Sequence, residues 1–142
     1  MTTLSRETMP ERFQVPEQGV EFCFATVDGW AVEFDTFEQD ADPSRLMAGL
    51  PDDACQSHHM GYVIEGTMTY TYTDGSVDEI PAGSAYYVRP GHTPKMTAGT
   101  RLVEFSPAAE LAETMKVITA NMEAEAEAAV ARGEAEGGAP VS

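Results

Sequence analysis

Residues 57–75 read SHHMGYVIEGTMTYTYTDG, and their spacing decides the fold. From residue 67 to 73 threonine alternates with Met68, Tyr70 and Tyr72, a period of two built from β-favouring side chains. Asp74-Gly75 is a two-residue hairpin signal, so residues 76–80 return as the next strand. Upstream, residues 57–65 form a strand that stops at Gly66. Downstream, Pro81-Ala82-Gly83 makes a corner before a strand at 84–88. Arg89-Pro90-Gly91 makes a second corner before 92–96, and Ala98-Gly99 a turn before 101–105.

The pattern extends towards the N-terminus. Residues 20–27 and 30–37 read as two strands joined by Asp28-Gly29, and a loop over 38–53 carries a short helical turn near 44–48. Many short strands punctuated by Gly and Pro indicate an all-β barrel or sandwich, spanning 20–107. Residues 1–19 form a polar N-terminal arm. After 107 the character changes: Ser106 and Pro107 read as a helix cap and first helical residue. Leu111, Met115, Ile118 and Met122 then recur at helical spacing, so 108–142 is expected to be a C-terminal helix running into an acidic, partly disordered tail.

The 142 residues make about one domain and contain no apolar run long enough to span a bilayer. No signal-peptide pattern precedes the first strand, which makes the cytoplasm the expected location. Twenty-four acidic against 8 basic residues give a formal net charge of −16, which disfavours nucleic acid and anionic membrane surfaces as partners. The two cysteines, Cys23 and Cys55, are expected to be unpaired thiols, with Cys23 a small buried hydrophobe in an apolar run.

The middle of the chain resembles a cupin. Gly61-Tyr62-Val63-Ile64-Glu65-Gly66 is similar to the segment that follows the family's first metal motif. The run from Pro81 through Gly83 and Tyr86-Tyr87-Val88 to Pro90-Gly91-His92 is similar to the second. The resemblance covers residues 55–105. It implies a jelly-roll-like double-stranded β-helix with a C-terminal α-helix, a divalent metal ion (Zn, Fe, Mn or Ni), and oxygenase, isomerase, cyclase or lyase chemistry on a small organic molecule. The departures are specific. Counted back from Gly66, the family's motif glutamate falls on His59, its second histidine on Cys55 and its first on Asp53. The later ligand position falls on Pro94, two residues beyond His92, which is one full strand repeat and so the same face. The chain more closely resembles a variant subgroup with Cys and His before Gly-Tyr-Val and a Pro-Gly-His turn.

Read physically, Cys55, Ser57, His59, Gly61 and Val63 share one strand parity, and His58, Met60, Tyr62 and Ile64 the other. The resemblance turns the His59 set inward. His59, His92 and Cys55 are therefore the leading metal ligands, with His58 a fourth that only a bulge would bring in. The competing roles are a hydrogen-bonded interior imidazole for His59, a backbone-satisfied turn residue for His92, and an inert or reactive thiol for Cys55. Tyr70, Tyr72, Tyr87 and Arg89 are candidate substrate contacts, set against cross-strand packing and a surface ion pair. A non-catalytic binding or sensory module is the alternative to an enzyme, and a homodimer is expected because pairing covers exposed strand edges.

Overall fold

The computed structural model describes residues 3–133. Nine strands and one long helix follow one another: β1 (Glu11–Val15), β2 (Val20–Val27), β3 (Trp30–Phe37), β4 (His59–Glu65), β5 (Thr67–Tyr72), β6 (Val77–Pro81), β7 (Ser84–Val88), β8 (His92–Met96), β9 (Thr100–Pro107) and α1 (Ala108–Ala131). The strands form two antiparallel sheets, one ordered β1-β2-β3-β9-β4-β7 and the other β6-β5-β8. The expected all-β architecture with a C-terminal helix is therefore present.

Local chemistry explains the strand limits. Asp28 and Gly29 both have positive φ, 52° and 85°, as a type I′ hairpin between β2 and β3 requires. Gly66 ends β4 at φ 80°, and a Cβ there would lie 2.5 Å from the Cα of Thr100, so only glycine fits the close approach.

Between the sheets, the apolar half of the core is built from Phe37, Val63 and Leu102 on one side and Met68, Ile80 and Met96 on the other. A register shift separates Val63 from Glu65 on β4. It lies beyond the residues that matter for the site, so the parity of 55–63 is intact.

The N-terminal arm does more than its polar composition suggested. Residues 11–15 pair with β2 from Glu11↔Phe24 to Val15↔Val20. Their side chains are nearly all exposed, so no amphipathic pattern announces the strand. The backbone ladder and a polar clamp hold it instead: Arg12 Nη1 and Gln14 Nε2 reach Glu21 Oε2 at 3.2 and 2.6 Å, and Arg6 pairs with the other oxygen. Ahead of β1, Leu4 and Met9 pack on Cys23, Ala25 and Val32 on the outward side of the large sheet.

At the other end, α1 is longer than the apolar spacing indicated. Its cap position is Pro107, without a side-chain capping bond. Ser106 belongs to β9 and faces inward rather than capping the helix, because β9 continues to pair with β3 through Ser106 and Pro107. Val117 and Ile118 pack on Met47, Leu50 and Cys55. Asn121 Nδ2 donates to the carbonyls of Leu46 and Ala48 at 2.7 and 2.9 Å, docking the helix onto the short 3₁₀ turn Pro43–Met47. The tail expected to be disordered, residues 137–142, lies outside the described residues.

Candidate metal centre

A tight turn precedes the site. Asp52 and Asp53 both take positive φ, and Asp53 Oδ1 accepts from the backbone N–H of Gly49 at 3.0 Å. Asp53 is thereby spent on the turn. Cys55, two residues on, is locked to His92 by backbone: its N–H donates to the His92 carbonyl and its carbonyl accepts from Gly91 N–H, both at 2.8 Å. His59 opens β4 opposite Val88 of β7. Burial alternates along 55–64 as the parity argument requires, with Cys55, Ser57, His59, Gly61 and Val63 inside and His58, Met60, Tyr62 and Ile64 outside.

One donor atom from each of Cys55, His59 and His92 lies within 4.8 Å of the others. Cys55 Sγ is 3.5 Å from His59 Nε2, and the two imidazoles meet edge to face with centroids 4.9 Å apart. All three residues are at least 95% buried. Their outer partners fix the tautomers. His92 Nδ1 donates to the carbonyl of Arg89 at 2.7 Å; a carbonyl only accepts, so Nε2 is left with its lone pair. His59 Nδ1 sits 2.7 Å from Ser106 Oγ and 3.4 Å from Glu104 Oε2, and the carboxylate holds the proton on Nδ1. Each imidazole is braced through Nδ1 by a carbonyl or a carboxylate and keeps Nε2 as its donor atom beside Cys55, the outer arrangement expected of metal-ligating histidines. The residues present therefore fit a zinc- or iron-type ion with N and S donors.

The charge state fits as well. Burial works against the Cys55 thiolate, but hydrogen bonds and charge from His59 and His92 bring its pKa down to about 6. Burial likewise works against the His59 cation, while the Glu104 carboxylate and the Cys55 thiolate raise its pKa to about 9. Without an ion, thiolate and imidazolium form a pair; an ion would take the thiolate directly and displace one proton from His59.

Behind His59 lies a second polar group that sequence reading missed. Glu33, Asp35 and Glu104 each place a carboxylate oxygen within 4.8 Å of the others. Tyr70 and Tyr86 both donate to Glu104 Oε1, at 2.7 and 2.6 Å. Gly61 makes room for this: a Cβ there would lie 2.6 Å from the Tyr86 hydroxyl and 2.5 Å from the Val103 carbonyl. Burial, then the charge of Glu104, push Glu33 up to about 7; burial and Glu33 push Asp35 upward too. The signal was available in Trp-Ala-Val-Glu-Phe-Asp-Thr-Phe, where Glu33 and Asp35 share a parity, but charge alone argues for the outward side and the fold reverses it.

The other candidates separate cleanly. His58 points outward, 46% exposed, with Nδ1 2.9 Å from Glu110 of α1, so it does not join the cluster. Tyr70 and Tyr72 face inward with rings 5.1 and 6.4 Å from His92. Tyr87 lies on the outward face, where a cavity of about 220 Å³ is lined by Trp30, His58, His59, Met60, Tyr87 and Phe105, with Pro107. Arg89 stacks 3.7 Å over the Tyr72 ring and pairs with Asp74 at 3.3 Å; its contribution to the centre is its backbone carbonyl. Thr114 of α1 closes the far side, its hydroxyl 3.4 Å from Cys55 Sγ.

No protein-family model matches the sequence, and no curated protein matches it either. Solved structures do. The polyketide cyclase RemF from Streptomyces resistomycificus superimposes with a TM-score of 0.50 at 17% identity, over 75% of this chain and 79% of that one. A variant of the oxalate decarboxylase OxdC from Bacillus subtilis gives 0.51 at 12% identity, over 73% of this chain and 28% of that one. An RmlC-like cupin from Shewanella frigidimarina aligns at 0.48 and 18% identity, covering 71% of this chain and 86% of its own. At these identities the likeness is one of fold: the chain has the fold of the cupin superfamily.

Proposed function

We propose that this chain binds one divalent metal ion through Cys55 Sγ, His59 Nε2 and His92 Nε2 and acts on a small organic molecule. The observation that carries the reading is the bracing of both imidazoles through Nδ1, which leaves both Nε2 atoms, once His59 gives up its second proton, as donors beside Cys55 Sγ. Zinc or iron suits this donor set better than manganese, with nickel between. Such an ion, when bound, polarises a carbonyl or activates water. The chain's own part is orientation and exclusion of solvent. Tyr70 and Tyr72 wall the inner side against His92, Thr114 covers the thiol, and Glu104 holds the His59 proton. Whether the chemistry is that of an oxygenase, isomerase, cyclase or lyase is set by the substrate.

The alternative, a non-catalytic binding or sensory module, draws on one observation: the Thr114 hydroxyl already sits 3.4 Å from Cys55 Sγ and covers the thiol. Cobalt(II) substitution separates the two. A thiolate-to-cobalt charge-transfer band that disappears in Cys55→Ser supports the centre. A shift of the cobalt bands on adding azide or cyanide supports an open, enzyme-type position, and bands that ignore both anions support the binding module. No such band in the wild type refutes thiolate ligation.

We also propose a homodimer in the cytoplasm. Trp30, Met60, Tyr62, Tyr87 and Phe105 are each more than 40% exposed on one outward face. A contiguous apolar face is a docking feature. In a chain of net charge −16, an uncharged patch is also where two copies approach with least repulsion. Both cysteines are free thiols, in keeping with a reducing compartment.

A further inference from the structure

The chain partners the three inward carboxylates only in part: Glu104 has two phenols and His59, while one oxygen of Asp35 has no hydrogen-bond partner among the described residues. Glu33 of β3 pairs in register with Glu104 of β9, and Asp35 lies one strand repeat along on the same face. Their oxygens come within 4.8 Å of one another at the centre of the fold, where like charges repel strongly. Arg6, Arg12, Arg45, Arg89, Arg101 and Lys116 are all paired with other carboxylates. The phenols of Tyr70 and Tyr86 are both given to one oxygen, Glu104 Oε1. Asp35 is the telling member. It is 93% buried, and among the described residues its Oδ1 has no hydrogen-bond partner. A buried oxygen of this kind calls for a partner.

We propose that Glu33, Asp35 and Glu104 form a second metal site, selective for a hard, oxygen-preferring divalent cation of the Mn²⁺ or Mg²⁺ class. Glu33 and Asp35 supply up to four oxygens, and Glu104 can add Oε2, its Oε1 being held by the two phenols; oxygen is the donor type such ions take, and none of the sulfur or nitrogen that zinc prefers is among them. The phenol pair holds Glu104 in place, and Gly61 provides the space that lets Tyr86 reach it. The site shares no donor with the Cys55–His59–His92 centre and stands without it. His59 is the link between them, its Nε2 towards the thiol and its Nδ1 towards Glu104.

The test uses Mn²⁺ itself. Chelator-treated full-length chain is titrated with MnCl₂ at high salt, which screens the exposed acidic residues, and free Mn²⁺ is read from its paramagnetic resonance signal. The expected result is one tightly held Mn²⁺ per chain, retained in Cys55→Ser and weakened at least tenfold in Glu33→Gln/Asp35→Asn that circular dichroism finds folded. Should the double variant not fold, the near-isosteric Asp35→Asn carries the same expectation. A wild type with no tightly held Mn²⁺, or a folded variant that binds it as the wild type does, overturns the proposal and leaves the triad held by protons alone. Zinc or cobalt uptake in the same variants keeps the outcome separate from that of the first centre, because those ions follow Cys55 and His92 rather than Glu33 and Asp35.

Discussion

Towards the space between the sheets, β3, β9 and β4 present Glu33, Asp35, Glu104, Ser106 and His59; away from it the same strands present Trp30, Phe105, Met60 and Tyr62. A sheet that merely folds has the opposite distribution, apolar side chains inside and charged ones towards water. Here the inversion is confined to one half. At the other end of the same space the inner residues are Phe37, Val63, Met68, Leu102 and Met96, an ordinary apolar core. Apolar and polar side chains are thus divided along the length of the strands. The apolar end supplies hydrophobic burial, while the polar end holds groups whose burial costs free energy wherever they lack a hydrogen-bond or charge partner. The apolar outward face is the counterpart, the surface on which the proposed second copy would dock.

The comparison breaks hardest at Gly61, where the Tyr86 phenol and the backbone of β9 at Val103 and Glu104 converge. Gly61→Ala forces a methyl into the Val103 carbonyl and the Tyr86 ring, and should cost about 3 kcal/mol in chemical denaturation. Met60→Ala, one residue away on the outward face, should cost less than ~1 kcal/mol in the same assay. A milder probe of the polar end is Tyr86→Phe, which removes one donor from Glu104 and should destabilise by about 1.5 kcal/mol.

The N-terminal clamp sharpens the contrast between buried and exposed charge. Burial raises the Glu21 pKa, but Gln14, Arg12 and Arg6 more than offset it, so the net shift is downward. A carboxylate with a depressed folded pKa binds fewer protons folded than unfolded, so its contribution is present above its ordinary value near 4.5 and is lost as pH falls through the lower folded value. Glu21→Gln should cost about 1 kcal/mol at neutral pH, lessening in acid, and should speed proteolysis ahead of β2. Smallest of all in folding terms is Phe105→Glu, expected to change monomer stability by no more than ~0.5 kcal/mol while halving the mass seen in sedimentation. A dimer that persists in Phe105→Glu would place the interface elsewhere.

These contrasts mark what the sequence could and could not reveal. Period-two alternation and Gly-Pro punctuation placed β2, β3, β7 and β8 at their observed limits, because each is bounded by residues with special backbone needs such as Asp28-Gly29 and Gly83. β1 stayed hidden because its residues face solvent on both sides and pairing comes from backbone and the Glu21 clamp. The point along 108–142 where α1 ends could not be read, because its second half, rich in Ala and Glu, has propensity without an apolar stripe. For the centre, parity gathered Cys55 and His59 and turned His58 away, and the strand-repeat argument brought His92 inside despite its offset. Glu33, Asp35 and Glu104 escaped because a charged residue on an alternating strand reads as outward. Only the register with neighbouring strands, which no local pattern encodes, shows the reverse.

The most direct test of the metal centre is elemental mass spectrometry on untagged wild type beside His59→Ala, His92→Ala and Cys55→Ser, each checked for folding. Near-stoichiometric zinc, iron or nickel in the wild type, abolished in both histidine variants and diminished in Cys55→Ser, is the expected result. A wild type that takes up none of the three even after incubation with their salts, or metal that survives all three substitutions undiminished, contradicts a Cys55–His59–His92 centre.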